Sequence, residues 1–182
     1  VYSQARDSSA TLIDDHINAL CKDKIGNLWI ATNGGLQVYN PRMNSFSSYT
    51  RENGKLSTNN ITALFYNDNG TANNLLIGTA EGLIILNLSS TEKKVMTGNS
   101  NNIKPFTNNY ITQIFQDSRG LIWVGTREGL NILNLENDDL DYLTEKQGLC
   151  NNNVCGIAED KNHNMWITTS GGVSRVVTQR NH

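Results

Sequence analysis

The sequence has no surplus of positive charge: 15 Lys and Arg stand against 17 Asp and Glu, for a net charge of −2. Nucleic acid and anionic membrane surfaces are bound through clustered positive charge, so neither is expected as a partner. No run approaches the roughly 18 apolar residues that mark a membrane span. The first residues, Val1-Tyr2-Ser3-Gln4-Ala5-Arg6, lack the apolar stretch of a signal peptide, which is compatible with a mature chain or with one cut from something longer. Cysteines number three, and an odd number cannot complete a disulfide framework. Cys150 and Cys155 are near enough in sequence to bridge, but Cys155 falls in a strand-like segment, where a buried free thiol is the expectation. The three histidines, His16, His163 and His182, share no ligand spacing with the cysteines, so no metal site is expected. No glycine-rich phosphate loop leads into a helix, no helical periodicity is visible, and no cofactor is expected.

What the sequence does contain is repetition. Trp29-Ile30-Ala31-Thr32-Asn33-Gly34-Gly35-Leu36 returns as Trp123 to Leu130 and as Trp166 to Val173, and a fourth copy, Leu76 to Leu83, has Leu in place of Trp. A matching strand precedes each copy, beginning at Ile17, Ile61, Ile111 and Val154. Gly35, Gly82, Gly129 and Gly172 recur every 43 to 47 residues, a spacing typical of propeller blades. Each unit reads as four strands. The first ends at Asp23, Asn67, Asp117 or Asp160, and a tight hairpin follows. There Gly26 and Gly120 supply the positive φ, and His163 tolerates it in the fourth unit. The hairpin of the second unit is three residues longer. Apolar residues lie on both faces of the first three strands, as blades stacked face to face require. The expected fold is all-β: a propeller fragment of four blades, each of four antiparallel strands. The blade units are 17–50, 61–97, 111–144, and 154–177 completed by the N-terminal strand 1–6, within one domain, 1–182.

The unit Ile-x-x-Ile-x-x-Asp-x-x-Gly-x-x-Trp-Ile-Gly-Thr-x-x-Gly-Leu resembles the two-component regulator propeller repeat, and Ile111 to Leu130 matches it nearly position by position. Such repeats typically build the periplasmic sensor region of Bacteroides-type hybrid two-component histidine kinases. The resemblance implies a non-catalytic, extracytoplasmic sensor segment for oligosaccharides, localised to the periplasm. It also implies a longer parent, with more blades, an immunoglobulin-like domain, a membrane helix and a kinase, so this chain looks like a fragment. A carbohydrate-active propeller enzyme and a protein-interaction scaffold are the alternatives.

An enzyme needs a constellation of acid and base. The acidic clusters, Asp14-Asp15 and Asp138-Asp139-Asp141, fall in turns between outer strands, where charge is normally solvated, so no catalytic residue is expected. The recurring Trp residues are expected to pack between blades, and the recurring Thr32, Thr79, Thr126 and Thr169 to satisfy nearby backbone groups. Residues that vary between units are better ligand candidates. In a propeller, the loops from strand four to strand one and from strand two to strand three emerge on one face. From those loops Asn33, Tyr110, Arg127, Glu128 and Asn153 offer the amides, charges and ring that a polyhydroxyl ligand would use.

Closure of the ring raises the question of partners. Unit four stops after its third strand near Val177, while Val1 to Arg6 reads as a fourth strand without a blade of its own. Closing within one chain would turn each of four blades by about 90°, against roughly 51° in a seven-bladed ring. A homodimer formed by strand exchange, at about 45° per blade, is therefore the expectation, or contact with the rest of a longer array. Arg175, where the other third strands have Val38, Ile85 and Ile132, suggests looser packing of the last blade.

Overall fold

Every repeat unit becomes one antiparallel sheet in the computed structural model, which describes residues 11–68, 70, 73–98 and 105–177. The first sheet is β1 (Ile17–Lys22), β2 (Leu28–Thr32), β3 (Gly35–Asn40) and β4 (Ser45–Tyr49). The second is β5 (Ile61–Asp68), β6 (Asn73–Thr79), β7 (Gly82–Asn87) and β8 (Lys93–Met96). The third is β9 (Ile111–Gln116), β10 (Ile122–Thr126), β11 (Gly129–Asn134) and β12 (Asp139–Leu143). The fourth has β13 (Val154–Glu159), β14 (Met165–Thr169) and β15 (Gly172–Val176). Strands pair in chain order throughout, so each sheet is a meander. The all-β blade architecture read from the repeat therefore holds. The expected N-terminal strand, Val1 to Arg6, lies outside the described residues, and with it the question of closure. A three-residue 3-10 turn, Glu145–Gln147, carries a capping box between Thr144 and Gln147 and is too short to leave a periodic signal. No helix among the described residues is long and apolar enough to cross a membrane.

Two compact units divide the chain, Val1–Val95 and Met96–His182. In the first, Trp29, Ala31 and Leu36 of the first sheet pack on Ile61, Leu75, Ile77, Ile84 and Leu86 of the second, with Leu56 beside them. In the second unit, Trp123 and Leu130 pack on Val154, Met165 and Ile167, with Leu149 in the place of Leu56. The same repeat positions thus build both cores, each large side chain contributing about 1.5–3 kcal/mol on burial. The blades of the second unit approach so closely that a Cβ on Gly125 would lie 2.6 Å from Val154 Cγ1 of the next sheet.

Three details differ from expectation. Trp29 and Trp123 are buried, but Trp166 is 40% exposed and lies opposite Arg175, where Trp29 faces Val38 and Trp123 faces Ile132. Cys155 is exposed rather than buried, and both it and Cys150 are free thiols. Val154 is buried and Cys155, next along β13, lies on the other side, at a register shift that the first strands of all four sheets share. Asp139 and Asp141 lie on β12 itself, not in a turn, and are exposed.

Candidate ligand-binding face

Two local devices hold the turns, the first in three of the sheets and the second in all four. At the first hairpin, Asp23 Oδ1 accepts the N–H groups of Ile25 (3.1 Å) and Asn27 (2.9 Å), while Oδ2 accepts Trp29 Nε1–H at 3.0 Å. Asp117 does the same for Arg119, Leu121 and Trp123, and Asp160 for Asn162, Asn164 and Trp166. Gly26 (φ +94°), Gly120 (φ +89°) and His163 (φ +64°) occupy the left-handed position of these hairpins. The second sheet has Asn67 and Leu76 instead, and Asn67 Oδ1 is buried without a partner. At the opposite end of the strands, Thr32, Thr79, Thr126 and Thr169 donate to the carbonyls of Gly35, Gly82, Gly129 and Gly172 and accept the N–H two residues on, as expected of hydroxyls serving the backbone.

Those threonines fix one side of the candidate face. Within each compact unit the entering loops form the other side, those of β1 and β5 in the first and those of β9 and β13 in the second, each an Asx or Ser/Thr turn. Asp14 accepts from His16 N–H, Thr58 from Asn60, Asn108 from Tyr110, and Asn151 from Asn153. The third strands clamp these loops in a way the sequence did not reveal. Buried Gln37 accepts Ile13 N–H and donates to Thr11 O; buried Asn131 accepts Thr107 N–H; Ser174 accepts Cys150 N–H. Their only sequence signal is a polar residue inside a strand.

The candidate residues stand as follows. In the second unit, the Arg127 guanidinium carbon lies 3.5 Å from the centroid of the Tyr110 ring, and Arg127 N–H donates to Tyr110 O at 3.3 Å. Glu128 accepts Asn108 Nδ2 at 3.1 Å, and Asn153 Nδ2 donates to Ser170 Oγ at 2.6 Å. Tyr110 and Asn153 are half-buried, and Arg127 and Glu128 are exposed. In the first unit, exposed Asn33 holds the turn position of Arg127, and its Oδ1 accepts Asn18 Nδ2 at 2.9 Å.

A polar cluster missed by sequence reasoning joins the hairpins of the third and fourth sheets. Ser118 Oγ donates to Glu159 Oε1 at 2.6 Å and lies 2.8 Å from His163 Nδ1, while that same Nδ1 is 2.9 Å from Glu159 Oε1. A charge-relay triad uses both ring nitrogens, one for the hydroxyl and one for the carboxylate. Here both partners meet one nitrogen, so the cluster ties two hairpins together rather than activating Ser118. The Ser118 bond, with help from His163, holds the Glu159 carboxyl below its usual range. Among the described residues no three His, Cys, Asp or Glu side chains gather as metal ligands would.

Comparison with known proteins agrees with these local devices. The model for the two component regulator propeller matches residues 11–34, 105–128 and 148–171, each spanning an entering loop, the Asp–Trp hairpin and the Thr turn. The second repeat, with Asn67 and Leu76 in place of the pair, is not among the matches. No curated protein sequence matches the chain. Among solved structures, the extracellular domain of one hybrid two component system of B. thetaiotaomicron superposes with a TM-score of 0.79 at 22% identity, covering 100% of this chain and 23% of that one. A second such domain from B. thetaiotaomicron gives 0.74 at 21% identity, covering 100% and 25%. Virginiamycin B lyase from Staphylococcus aureus gives 0.64 at 11% identity, covering 93% and 58%. The chain spans about a quarter of the length of the two extracellular domains. Three of its four repeats thus match the two component regulator propeller model, on a β-propeller fold.

Proposed function

We propose that the chain is a non-catalytic segment of an extracytoplasmic sensor of the two-component kind, and that its turn face binds an oligosaccharide. The stacked pair Tyr110 and Arg127 carries this reading. Stacking holds a guanidinium in place beside a half-buried ring, the Glu128 carboxylate lies on the same turn as Arg127, and the Asn153 amide lies on the loop entering β13 of the next sheet. Sugar hydroxyls take donors from Arg127 and Asn153 and an acceptor from Glu128; Asn33, in the other compact unit, is a separate candidate at its own turn. Support for the sensor role comes from the repeat family and from the fold shared with extracellular domains of hybrid two component systems. The same likeness supports an extracytoplasmic location, and the compartment proposed is the periplasm, as part of a parent sensor kinase.

Isothermal titration against a panel of neutral oligosaccharides tests the proposal. Changing Tyr110 and Arg127 together to Ala should weaken binding about tenfold or more while leaving the melting temperature nearly unchanged. A large stability loss would assign the pair to the fold. Turnover of any glycan by the purified chain, abolished by Asp139→Asn or Asp141→Asn, would replace the sensor with an enzyme.

A further inference from the structure

The outer edge of the first unit holds a hollow that the turn face does not use. A cavity of about 320 Å³ is lined by Tyr49, Lys55, Leu86, Leu88 and Lys93, and a smaller one of about 160 Å³ adjoins it, sharing Tyr49 and Leu88 and reaching Trp29 and Asn73. Its basic corner comes from a single inserted residue. The loop after β4, Thr50 to Leu56, and the loop after β12, Thr144 to Leu149, make the same backbone bonds. Gly54 donates to Arg51 O and Leu56 to Thr50 O; Gly148 donates to Glu145 O and Leu149 to Thr144 O. Lys55, between Gly54 and Leu56, is the residue the first loop has in addition.

That insertion organises two positive charges. The Lys55 ammonium lies 4.6 Å from the centroid of the Tyr49 ring, and the Lys55 carbonyl accepts Lys93 Nζ at 2.6 Å. Both lysines are exposed, and neither has a carboxylate within ion-pair distance among the described residues. Nearby acids are already engaged: Asp23 serves its hairpin and Trp29, and Glu92 accepts Ser90 Oγ. Asn87 also lines the cavity, with its Oδ1 taken by the N–H groups of Ser89 and Ser90, which leaves its amide donors for a ligand.

We propose that this hollow binds a small organic anion with a ring body, and specifically a carboxylate-bearing sugar at the end of an acidic oligosaccharide. The sugar identity rests on the saccharide-sensing reading above. The carboxylate would sit between the Lys55 and Lys93 ammonium groups, where Lys55 exchanges its contact with Tyr49 for a charge-assisted bond. The C–H face of the ring packs on Leu86, Leu88 and Tyr49, and a hydroxyl takes the Asn87 amide. A cavity of this size, apolar in lining with a few convergent polar groups, suits one pyranose.

Isothermal titration of the whole chain with glucuronate, glucose and benzoate tests the assignment. Glucuronate should bind, more weakly as salt is raised, and glucose should not. Lys55→Gln with Lys93→Gln should weaken glucuronate binding about tenfold or more with no change in melting temperature. Absence of glucuronate binding, or equal binding to the double variant, overturns the site. Benzoate binding without glucuronate binding overturns the sugar. Glucuronate binding that survives Tyr110→Ala with Arg127→Ala supports the rim site even if neutral oligosaccharides fail at the turn face. Its loss in that variant would move the ligand to the turn face and overturn the rim site alone.

Discussion

Trp123 reaches back six residues and gives its indole N–H to Asp117 Oδ2 at 3.0 Å, with the Asp117 side chain wholly buried. Burial alone would push that carboxyl up. Hydrogen bonds from Trp123, Arg119 and Leu121, together with the Arg119 charge, outweigh it and hold the group below the usual range. The carboxylate is therefore the centre of its hairpin, joining a loop, a strand and a core ring.

Removing it leaves several donors unsatisfied at once. Asp117→Ala should lower unfolding stability by about 2–4 kcal/mol, since bonds to a charged acceptor contribute about 1.5–3 kcal/mol each and are not additive. Urea unfolding followed by tryptophan fluorescence measures it. A loss under about 0.5 kcal/mol, the range of ordinary surface changes, would show the bonds to be incidental.

Acid should weaken the fold through the same groups. Asp117, Glu159 and Asp160 all have depressed carboxyl pKa values; for Asp160 the causes are the Trp166 and Asn164 bonds. A depressed folded-state pKa gives stability that is complete above the unfolded value, near 4, and is lost as pH falls through the folded value. Melting temperature should be flat above about pH 5 and should drop steadily below about pH 4. Asp160→Asn should flatten that acid limb, and an unchanged limb would remove Asp160 from the account.

Packing in the second unit predicts a strong coupling. Gly125→Ala places a methyl 2.6 Å from Val154 Cγ1 and should cost about 1–3 kcal/mol. Val154→Ala removes the colliding atom, so the double variant should be more stable than the sum of the two losses implies. Simple additivity in the double-mutant cycle would mean that the two sheets shift apart instead.

The cysteines should separate by reactivity. Burial pushes the Cys21 thiol up to about 11, with Asp23 adding to it against a backbone bond at Tyr66. Exposed Cys150 is held below its usual value by the Ser174 and Thr169 side chains. Iodoacetamide near neutral pH should therefore modify Cys150 well before Cys21, as read by peptide mass spectrometry. The reverse order would place Cys21 in solvent.

The hairpins after the first strands and the Thr turns were legible because their defining residues lie close together in the chain, whereas the Asp-to-Trp bond within three of those hairpins was not foreseen. Tyr110 and Arg127 could be placed on one face from loop order, but their contact depends on the pairing register of β9 and β10, which spacing alone does not fix. Ser118 and His163 are 45 residues apart and meet only because two blades stack. The Gln37, Asn131 and Ser174 clamps escaped for a different reason. A polar residue within an apolar strand looks like a break in the pattern until the loop it holds is seen. Cys155 misled because its neighbour Val154 takes the buried side of β13, and spacing alone does not say which of the two faces the core.

The three tryptophans occupy one repeat position but meet three degrees of solvent: 4% exposure at Trp29, 1% at Trp123 and 40% at Trp166. The chain consequently carries an intrinsic optical probe of a single sheet face. A water-borne quencher such as iodide should remove the red edge of the emission, from Trp166, and leave the blue emission of the other two. Any molecule that settles on the β14 face, be it another blade, another copy or a different protein, would announce itself by protecting that red component, with no label attached.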